Sequence, residues 1–327
     1  MTQSLLTTLN RRASVIALNA LEDPSRGIDS VAGYGGATVL NFASDGRGTI
    51  SAGLMLAKIC MGGLGEVSIA SPDSLELNLP RVNVSTDHPL LACMAAQYAG
   101  WPLAGEKFFA MCSGPARALR GEEKVLIEYD LTHAADEATG VLETSQLPPM
   151  SVVEDFARQC SVELENVTLC IARTASLPGT VQVVARSVET ALHKLHELEF
   201  DLSTIKTGFG SAPLPPVAND DLTALGWTND AILYGGNVDL SVATTDEAIE
   251  KVIDRVASMA SPDFGTPFLE IFQRYDKDFY KIDKRLFSPA QITIKNISTG
   301  CVFRSGEIRN DILRQSFSLP TGENGTA

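Results

Sequence analysis

The chain has 327 residues and a formal net charge of −14. Its length predicts about two domains, at roughly 150 residues each. A composition of 44% hydrophobic and 20% charged residues excludes a disordered or fibrous protein. The acidic charge disfavours general nucleic-acid binding, which requires a basic surface to neutralise phosphates. An anionic ligand would therefore have to be bound by local groups.

The N-terminal segment predicts an amphipathic surface helix. Its apolar residues recur, but Arg11 and Arg12 interrupt them, so the segment is neither a signal peptide nor a membrane span. The six cysteines lie in apolar runs without a Cys-x-x-Cys pair. Such cysteines are typical of buried free thiols in a reducing cytoplasm.

Strands and helices are predicted in mixed order along the first half of the chain. A helix is expected over Ser51–Cys60. Another begins at Asp87, a candidate N-cap, and ends at Gly100. The predicted strands are ATVLNF (37–42), EVSIA (66–70), LELNL (75–79), VNVST (82–86), KFFAMC (107–112), VLIEYD (125–130) and VLETS (141–145).

A candidate anion site follows the strand KFFAMC. Ser113 and the small residues after it lead into a predicted helix that carries Arg117 in its first turn. A helix N-terminus presents unpaired N–H groups, and a cation beside it would favour an anion further. A well-capped turn explains the same residues equally well, so both interpretations stay open.

The second half of the chain mixes strands and helices in the same way. Pro148-Pro149 precedes a predicted helix, NVTLCIA (166–172) predicts a buried strand, and Asp246–Met259 predicts an amphipathic helix. The segment 201–226, rich in glycine and proline, predicts a binding loop or lid. QITIKNI and CVFRSG predict a closing hairpin. Because strands and helices do not alternate regularly, the sequence predicts an α+β fold. Pro148-Pro149 marks the predicted boundary between domains 1–150 and 151–327, of which the first could be discontinuous.

The motifs of several enzyme classes are absent. There is no phosphate-binding Gly-x-x-x-x-Gly-Lys-Ser/Thr, no complete Gly-x-Gly-x-x-Gly and no Gly-x-Ser-x-Gly, which disfavours nucleotide hydrolysis, dinucleotide binding and a serine hydrolase. His193 and His196 form the only close histidine pair. Solvated helix residues explain this pair better than a metal site, so no metal is predicted.

The segment 174–195 combines small polar residues with a helical pattern. It opens with Thr174, Ser176 and a Pro-Gly turn, and from residue 181 its apolar residues recur at helical spacing. Arg186 and Glu189 lie three residues apart and share one side of the predicted helix. The spacing alone fits a solvated ion pair worth about 0.2–0.5 kcal/mol.

Here the chain resembles the methenyltetrahydromethanopterin cyclohydrolase family along almost its whole length. The matching segments, in the family's order, are GGATV, KICMGGLGEV, TDHPLLAC, AGW, FFAMCSGPARAL, NVTLCIARTASLPGTVQVVARSVETALHKL, TNDAILYGG, PDFGTPFLEIF and DKDFYKID. The resemblance implies two mixed α+β domains with a pterin-binding cleft between them. It also implies a homo-oligomer, commonly a trimer, that functions in methanogenesis or in formaldehyde oxidation.

The resemblance implies a reaction as well. The family interconverts N5,N10-methenyl-tetrahydromethanopterin and its N5-formyl derivative with water, without a metal or a permanently bound cofactor; the pterin is the substrate carrier. The family's catalytic Arg and Glu correspond to Arg186 and Glu189. Polar groups suited to the edge of the heterocycle are the expected substrate-binding residues. These are Asp87, Ser113, Arg117, Thr174, Ser176, Asn229 and Asp230.

Two alternatives stay open. A related amidine hydrolase would keep Arg186 and Glu189 but have an altered pterin pocket. A non-catalytic pterin carrier or assembly subunit would bind the pterin without turnover, although such a protein has no use for a base beside the amidinium.

Overall fold

The computed structural model describes residues 2–72 and 77–319. These residues form two compact units. The first takes the described residues of Met1–Glu66 and His88–Gln182, and the second those of Val67–Asp87 and Val183–Ala327. The chain thus passes from one unit to the other after residues 66, 87 and 182. This division does not coincide with the single boundary drawn near residue 150, and it makes both units discontinuous.

The described part of the chain contains twelve α-helices, one π-helix and several short 3₁₀ turns. The α-helices are α1 (Thr2–Leu6), α2 (Leu9–Ala20), α3 (Ile50–Cys60), α4 (Ala116–Arg120), α5 (Lys124–Glu128), α6 (Met150–Cys160), α7 (Leu177–Val184), α8 (Ser187–Glu197), α9 (Asp221–Leu233), α10 (Asp246–Val256), α11 (Phe268–Arg274) and α12 (Asn310–Ser316). The π-helix spans Leu90–Gln97. The 3₁₀ turns are Pro24–Arg26, Leu164–Asn166, Leu202–Thr204, Ser258–Ala260, Phe279–Lys281 and Lys284–Leu286.

The same residues contain twelve strands in two mixed six-stranded sheets, so the predicted α+β class is confirmed. The strands are β1 (Asp29–Val31), β2 (Thr38–Asn41), β3 (Glu66–Ala70), β4 (Arg81–Thr86), β5 (Trp101–Gly105), β6 (Phe108–Ser113), β7 (Ala138–Glu143), β8 (Val167–Ala172), β9 (Ile205–Pro213), β10 (Asn237–Val242), β11 (Gln291–Asn296) and β12 (Val302–Gly306). The sheet orders are β1-β2-β8-β7-β6-β5 and β12-β11-β10-β9-β4-β3.

The first sheet is built around β8, which pairs in parallel with both β2 and β7. Alternate residues of β8 enter two separate cores: Leu169 and Ile171 pack in one, Cys170 and Ala172 in the other. The sequence of a strand that is buried on both faces is a continuous apolar run. The run NVTLCIA therefore predicted β8 correctly. This strand leads directly into α7.

The second sheet has β9 between β4 and β10, antiparallel to both. Helix α8 and helix α10 pack in this unit, and α10 buries Ile249, Val252, Ile253 and Val256 as its amphipathic pattern predicted. The closing hairpin is also confirmed, since β11 and β12 pair antiparallel.

Three local predictions need correction or restriction. VLIEYD is helix α5 rather than a strand: Val125 and Leu126 are buried side by side while Ile127 is exposed, which a strand's alternation does not allow. The helix expected from Asp87 begins only after Pro89, so Asp87 is not its N-cap. LELNL lies partly outside the described residues.

The predicted loop over 201–226 is wrong for much of its length. Nine of its residues form β9, the central strand of the second sheet, and α9 starts at Asp221. The sequence hid this strand because Gly208 and Gly210 lower strand propensity. Their contacts, described below, explain why glycine occurs there.

Candidate active site

The segment that carries Arg186 and Glu189 is two helices rather than the one predicted. Helix α7 ends at Val184 and α8 begins at Ser187, with Arg186 as the residue that flanks its N-terminus. The Arg186 N–H bonds to the Val183 carbonyl at 3.0 Å, as in a tight turn. The Arg186 carbonyl accepts from both the N–H and the hydroxyl of Thr190, at 2.8 and 2.9 Å.

This break places Glu189 in the first turn of a new helix. Glu189 is the third residue of α8. The partial positive charge of a helix N-terminus favours an ionised carboxylate at that position. Only 6% of Glu189 and 8% of Arg186 is exposed to solvent, so the solvated ion pair that the spacing allowed is wrong. A buried cation and a buried carboxylate instead share one turn.

The first turn of α8 lies directly against β9. Gly208 and Gly210 are two apart on the strand and so face the same side, where Val188 and Ser187 meet them. A β-carbon placed on Gly208 would lie 2.6 Å from Val188 Cγ1, and one on Gly210 would lie 2.2 Å from Ser187 Oγ. The absence of both β-carbons therefore lets the helix approach the sheet.

Thr174 and Ser176 lie at the start of α7, in the first unit. The Ser176 hydroxyl donates to the Arg173 carbonyl at 2.7 Å and accepts from the Gly179 N–H at 3.1 Å, which makes Ser176 the cap of this helix. The Thr174 carbonyl accepts from the Thr180 hydroxyl at 3.2 Å, and its side chain is half-buried.

Ser113 and Arg117 lie deep in the first unit, both fully buried. The Ser113 hydroxyl is 3.1 Å from Cys60 Sγ. Arg117 forms an ion pair with Glu123, in which Nε donates at 2.8 Å, and its Nη1 donates to the Met94 carbonyl at 3.0 Å. Arg117 therefore joins α4 to the π-helix. No side chain caps the start of α4, whose N-cap is Pro115.

The remaining three predicted residues belong to the second unit. Asp87 is exposed, directly after β4. Asn229 is half-buried and donates back to the Leu225 carbonyl at 2.9 Å within α9. Asp230 is fully buried, accepting from the Phe268 N–H at 2.8 Å and the Ser316 hydroxyl at 2.6 Å.

The buried position of Asp230 changes its titration. Burial raises its pKa to about 7, against the lowering effect of the hydrogen bonds from Ser316 and Phe268. Since α11 begins at Phe268 and Ser316 ends α12, this carboxyl links three helices of the second unit.

The structure thus brings together Arg186 with Glu189 on one turn, and Thr174 with Ser176 around one helix start. It separates Arg117 and Asp230 from solvent altogether. Sequence reasoning missed three residues that build the site: Ser187, Gly208 and Gly210. The alternation of glycine at 208 and 210 around Phe209 was the available signal.

The chain is similar to known proteins over most of its length. The family model described as cyclohydrolase (MCH) matches residues 8–317. A protein of Rhodopirellula baltica named methenyltetrahydromethanopterin cyclohydrolase is 45% identical over 87% of each chain. One of the same name from Methylobacillus flagellatus is 45% identical over 86% of each. Another from Methanocaldococcus jannaschii is 40% identical over 95% of this chain and 98% of its own.

The chain belongs to this cyclohydrolase family. The family resemblance read from the sequence segments is therefore confirmed, and the match extends over both units of the structure. In this cyclohydrolase, no group of His, Cys, Asp or Glu side chains within 2–72 and 77–319 is arranged to hold a metal ion. Within the same ranges, none of the helices has the length and apolar character needed to cross a membrane.

Proposed function

We propose that this cyclohydrolase reversibly hydrolyses N5,N10-methenyl-tetrahydromethanopterin to the N5-formyl derivative. The observation that carries the proposal is the buried Glu189 carboxylate in the first turn of α8, three residues from the Arg186 cation. The relatives named above support the choice of substrate. They are named methenyltetrahydromethanopterin cyclohydrolase, and they match 86–95% of this chain.

The chemistry requires a base next to a cation. The substrate's bridging carbon is the electrophilic centre of a cyclic amidinium, so a negative Glu189 would attract it and activate a water molecule beside it. As the water oxygen bonds to carbon, Glu189 takes one proton. When the C–N10 bond breaks, Glu189 returns that proton to N10, the second water proton is released, and the carbon becomes the N5-formyl group.

Arg186 can contribute in two ways. Its charge favours the ionised form of Glu189, although too strong a stabilisation would weaken the carboxylate as a base. Alternatively its donors orient the water or stabilise the developing oxygen. Variants of Arg186 that keep or remove the charge separate these roles.

The proposed substrate-binding set keeps the seven residues named from the sequence. Asp87, Thr174 and Asn229 reach the surface, whereas Ser113, Arg117, Ser176 and Asp230 are buried with partners in the protein. A direct contact with the pterin is therefore proposed first for Asp87, Thr174 and Asn229. A homotrimer in the cytoplasm, with no permanently bound cofactor, completes the proposal by family resemblance.

The decisive experiment follows the loss of the amidinium chromophore of methenyl-tetrahydromethanopterin with purified protein. Wild type should hydrolyse the substrate, and Glu189→Gln should lose about 10²–10⁴-fold in kcat while still binding it. Glu197→Gln is the matched control: the same substitution on the same helix, at a half-buried residue 3.5 Å from Lys284 Nζ. Near-normal turnover by Glu189→Gln would overturn the assignment of the base. Binding without turnover by the wild type would favour the carrier alternative.

A further inference from the structure

We propose that Gly210 is a positioning residue for catalysis, because its missing β-carbon sets the position of the α8 first turn and hence of Glu189. The inference rests on the proposed function, in which Glu189 is the base. It concerns β9, a strand that carries none of the residues assigned to the substrate or to the reaction.

Steric room, rather than backbone conformation, is what requires glycine at position 210. Neither Gly208 nor Gly210 has a positive φ angle, so alanine could adopt the same backbone at either position. The obstacle is the helix. A β-carbon on Gly210 would lie 2.2 Å from Ser187 Oγ, a distance that real β-carbons essentially never show, and 3.0 Å from Val188 Cγ2.

The β-carbon position of Gly210 is crowded on more than one side. Ser187 and Val188 of α8 are fully buried against it, and Val84 Cγ1 on the neighbouring strand β4 lies 3.1 Å from it. The Ser187 hydroxyl has no hydrogen-bond partner among the described residues. The serine is therefore held by packing against Gly210 rather than by a polar contact.

Any displacement of Ser187 is transmitted to the reacting groups. Ser187 is the first residue of α8, with Arg186 directly before it and Glu189 two residues after it. Because the helix is rigid over one turn, a shift that relieves the clash moves the Glu189 carboxylate too. A misplacement of about 1 Å is enough to cost on the order of 10²-fold in rate.

The test is a double-mutant cycle. Gly210→Ala should lower kcat at least ~10-fold with a smaller effect on KM, because ground-state binding depends less on the position of the base. Ser187→Ala removes the atom with which the new β-carbon collides. The kcat of the double variant Ser187→Ala/Gly210→Ala should therefore lie within ~3-fold of the kcat of Ser187→Ala alone.

Gly105→Ala is the matched control for strand glycines. Gly105 lies on β5 in the first unit, also without a positive φ. Its β-carbon would lie 3.0 Å from Val152 Cγ2, its nearest neighbour, against 2.2 Å from Ser187 Oγ for Gly210. Circular dichroism and thermal unfolding establish that each variant is folded. If Gly210→Ala alone does not fold, the comparison of Ser187→Ala with the double variant carries the test.

The outcomes separate this inference from the proposed function. Wild-type turnover with an inactive Glu189→Gln supports the proposed function; wild type without turnover overturns both proposals. Given an active wild type, unchanged kcat in a folded Gly210→Ala overturns the positioning role. So does a folded double variant that stays as slow as Gly210→Ala, because relief of the clash would then have restored nothing.

Discussion

Arg186 flanks the N-terminus of α8 and Glu189 is its third residue, so a buried cation and a buried carboxylate emerge from one helix turn. The arrangement depends on the break after Val184. In an unbroken helix, Glu189 would lie in the helix interior, away from the N-terminus. At the third position of α8 it instead lies in the first turn of a helix, where the partial positive charge of the N-terminus favours its negative charge.

Variants of Arg186 distinguish charge from geometry. Arg186→Gln removes the cation and should lower kcat about 10²-fold or more, the range found for the loss of a transition-state donor. Arg186→Lys keeps the charge but not the planar fork, and we expect it to retain more activity than Arg186→Gln. Steady-state kinetics with both variants measure this. Equal losses would show that the guanidinium geometry, rather than its charge, is required.

Arg117 should matter for stability. Arg117→Ala leaves the Glu123 carboxylate, whose side chain is 15% exposed, and the Met94 carbonyl without their partner. We expect a loss of about 3–5 kcal/mol in the free energy of unfolding, the usual effect of breaking a buried ion pair. Denaturant unfolding measures it. Arg158→Ala is the control, since Arg158 pairs with Asp155 at the surface and should cost at most about 1 kcal/mol.

Asp230 should make the protein less stable as pH rises. Its folded pKa is about 7 against an ordinary 3.8, so below pH 3.8 both states hold the proton. Between these values the unfolded chain loses the proton while the folded chain keeps it, and stability falls by on the order of 4 kcal/mol. Asp230→Asn should remove this slope in unfolding experiments from pH 4 to 7.

Asp246→Asn provides a control of opposite sign. Hydrogen bonds from Thr299 and Asn296 surround Asp246, and the pKa of this carboxyl is lowered, most of all by the Thr299 hydroxyl. Its contribution to stability is therefore lost as pH falls. An unchanged slope in Asp230→Asn would mean that the buried carboxyl is ionised in the folded protein.

His133 should make the protein less stable in acid. Both ring nitrogens are buried without a hydrogen-bond partner among the described residues, and burial lowers the pKa of the imidazole from its ordinary 6.5. Below about pH 6.5 the unfolded chain takes up a proton that the folded chain does not bind, so the free energy of unfolding decreases as the pH is lowered. His133→Leu should flatten this dependence. Thermal unfolding of both proteins between pH 5 and 8 tests it, and identical slopes would contradict it.

Local pattern was sufficient for elements whose burial is regular. The strand β8 is buried on both faces and α10 on one, so a continuous apolar run and a helical stripe predicted them. The closing hairpin was equally visible. These elements need no information from distant parts of the chain.

The rest depended on contacts that the sequence does not display. Ala185 and Arg186 both favour helix, so nothing local announces the break between α7 and α8. Strand β9 contains glycines that make sense only once α8 packs on them. The sequence left Arg117 open between an anion site and a capped turn, because the Met94 and Ala96 carbonyls that it binds come from another segment. The residues around the proposed base were thus the hardest to position.

The early position of β4 in the chain has a consequence for synthesis. This strand ends at Thr86, yet its central-sheet partner β9 begins at Ile205, about 120 residues later. At a translation rate of ~5–20 residues per second, the edge of β4 that pairs with β9 leaves the ribosome roughly 6–24 s before its partner. The nascent second sheet must pass this interval with an open edge, so its assembly waits for the strand that carries Gly208 and Gly210.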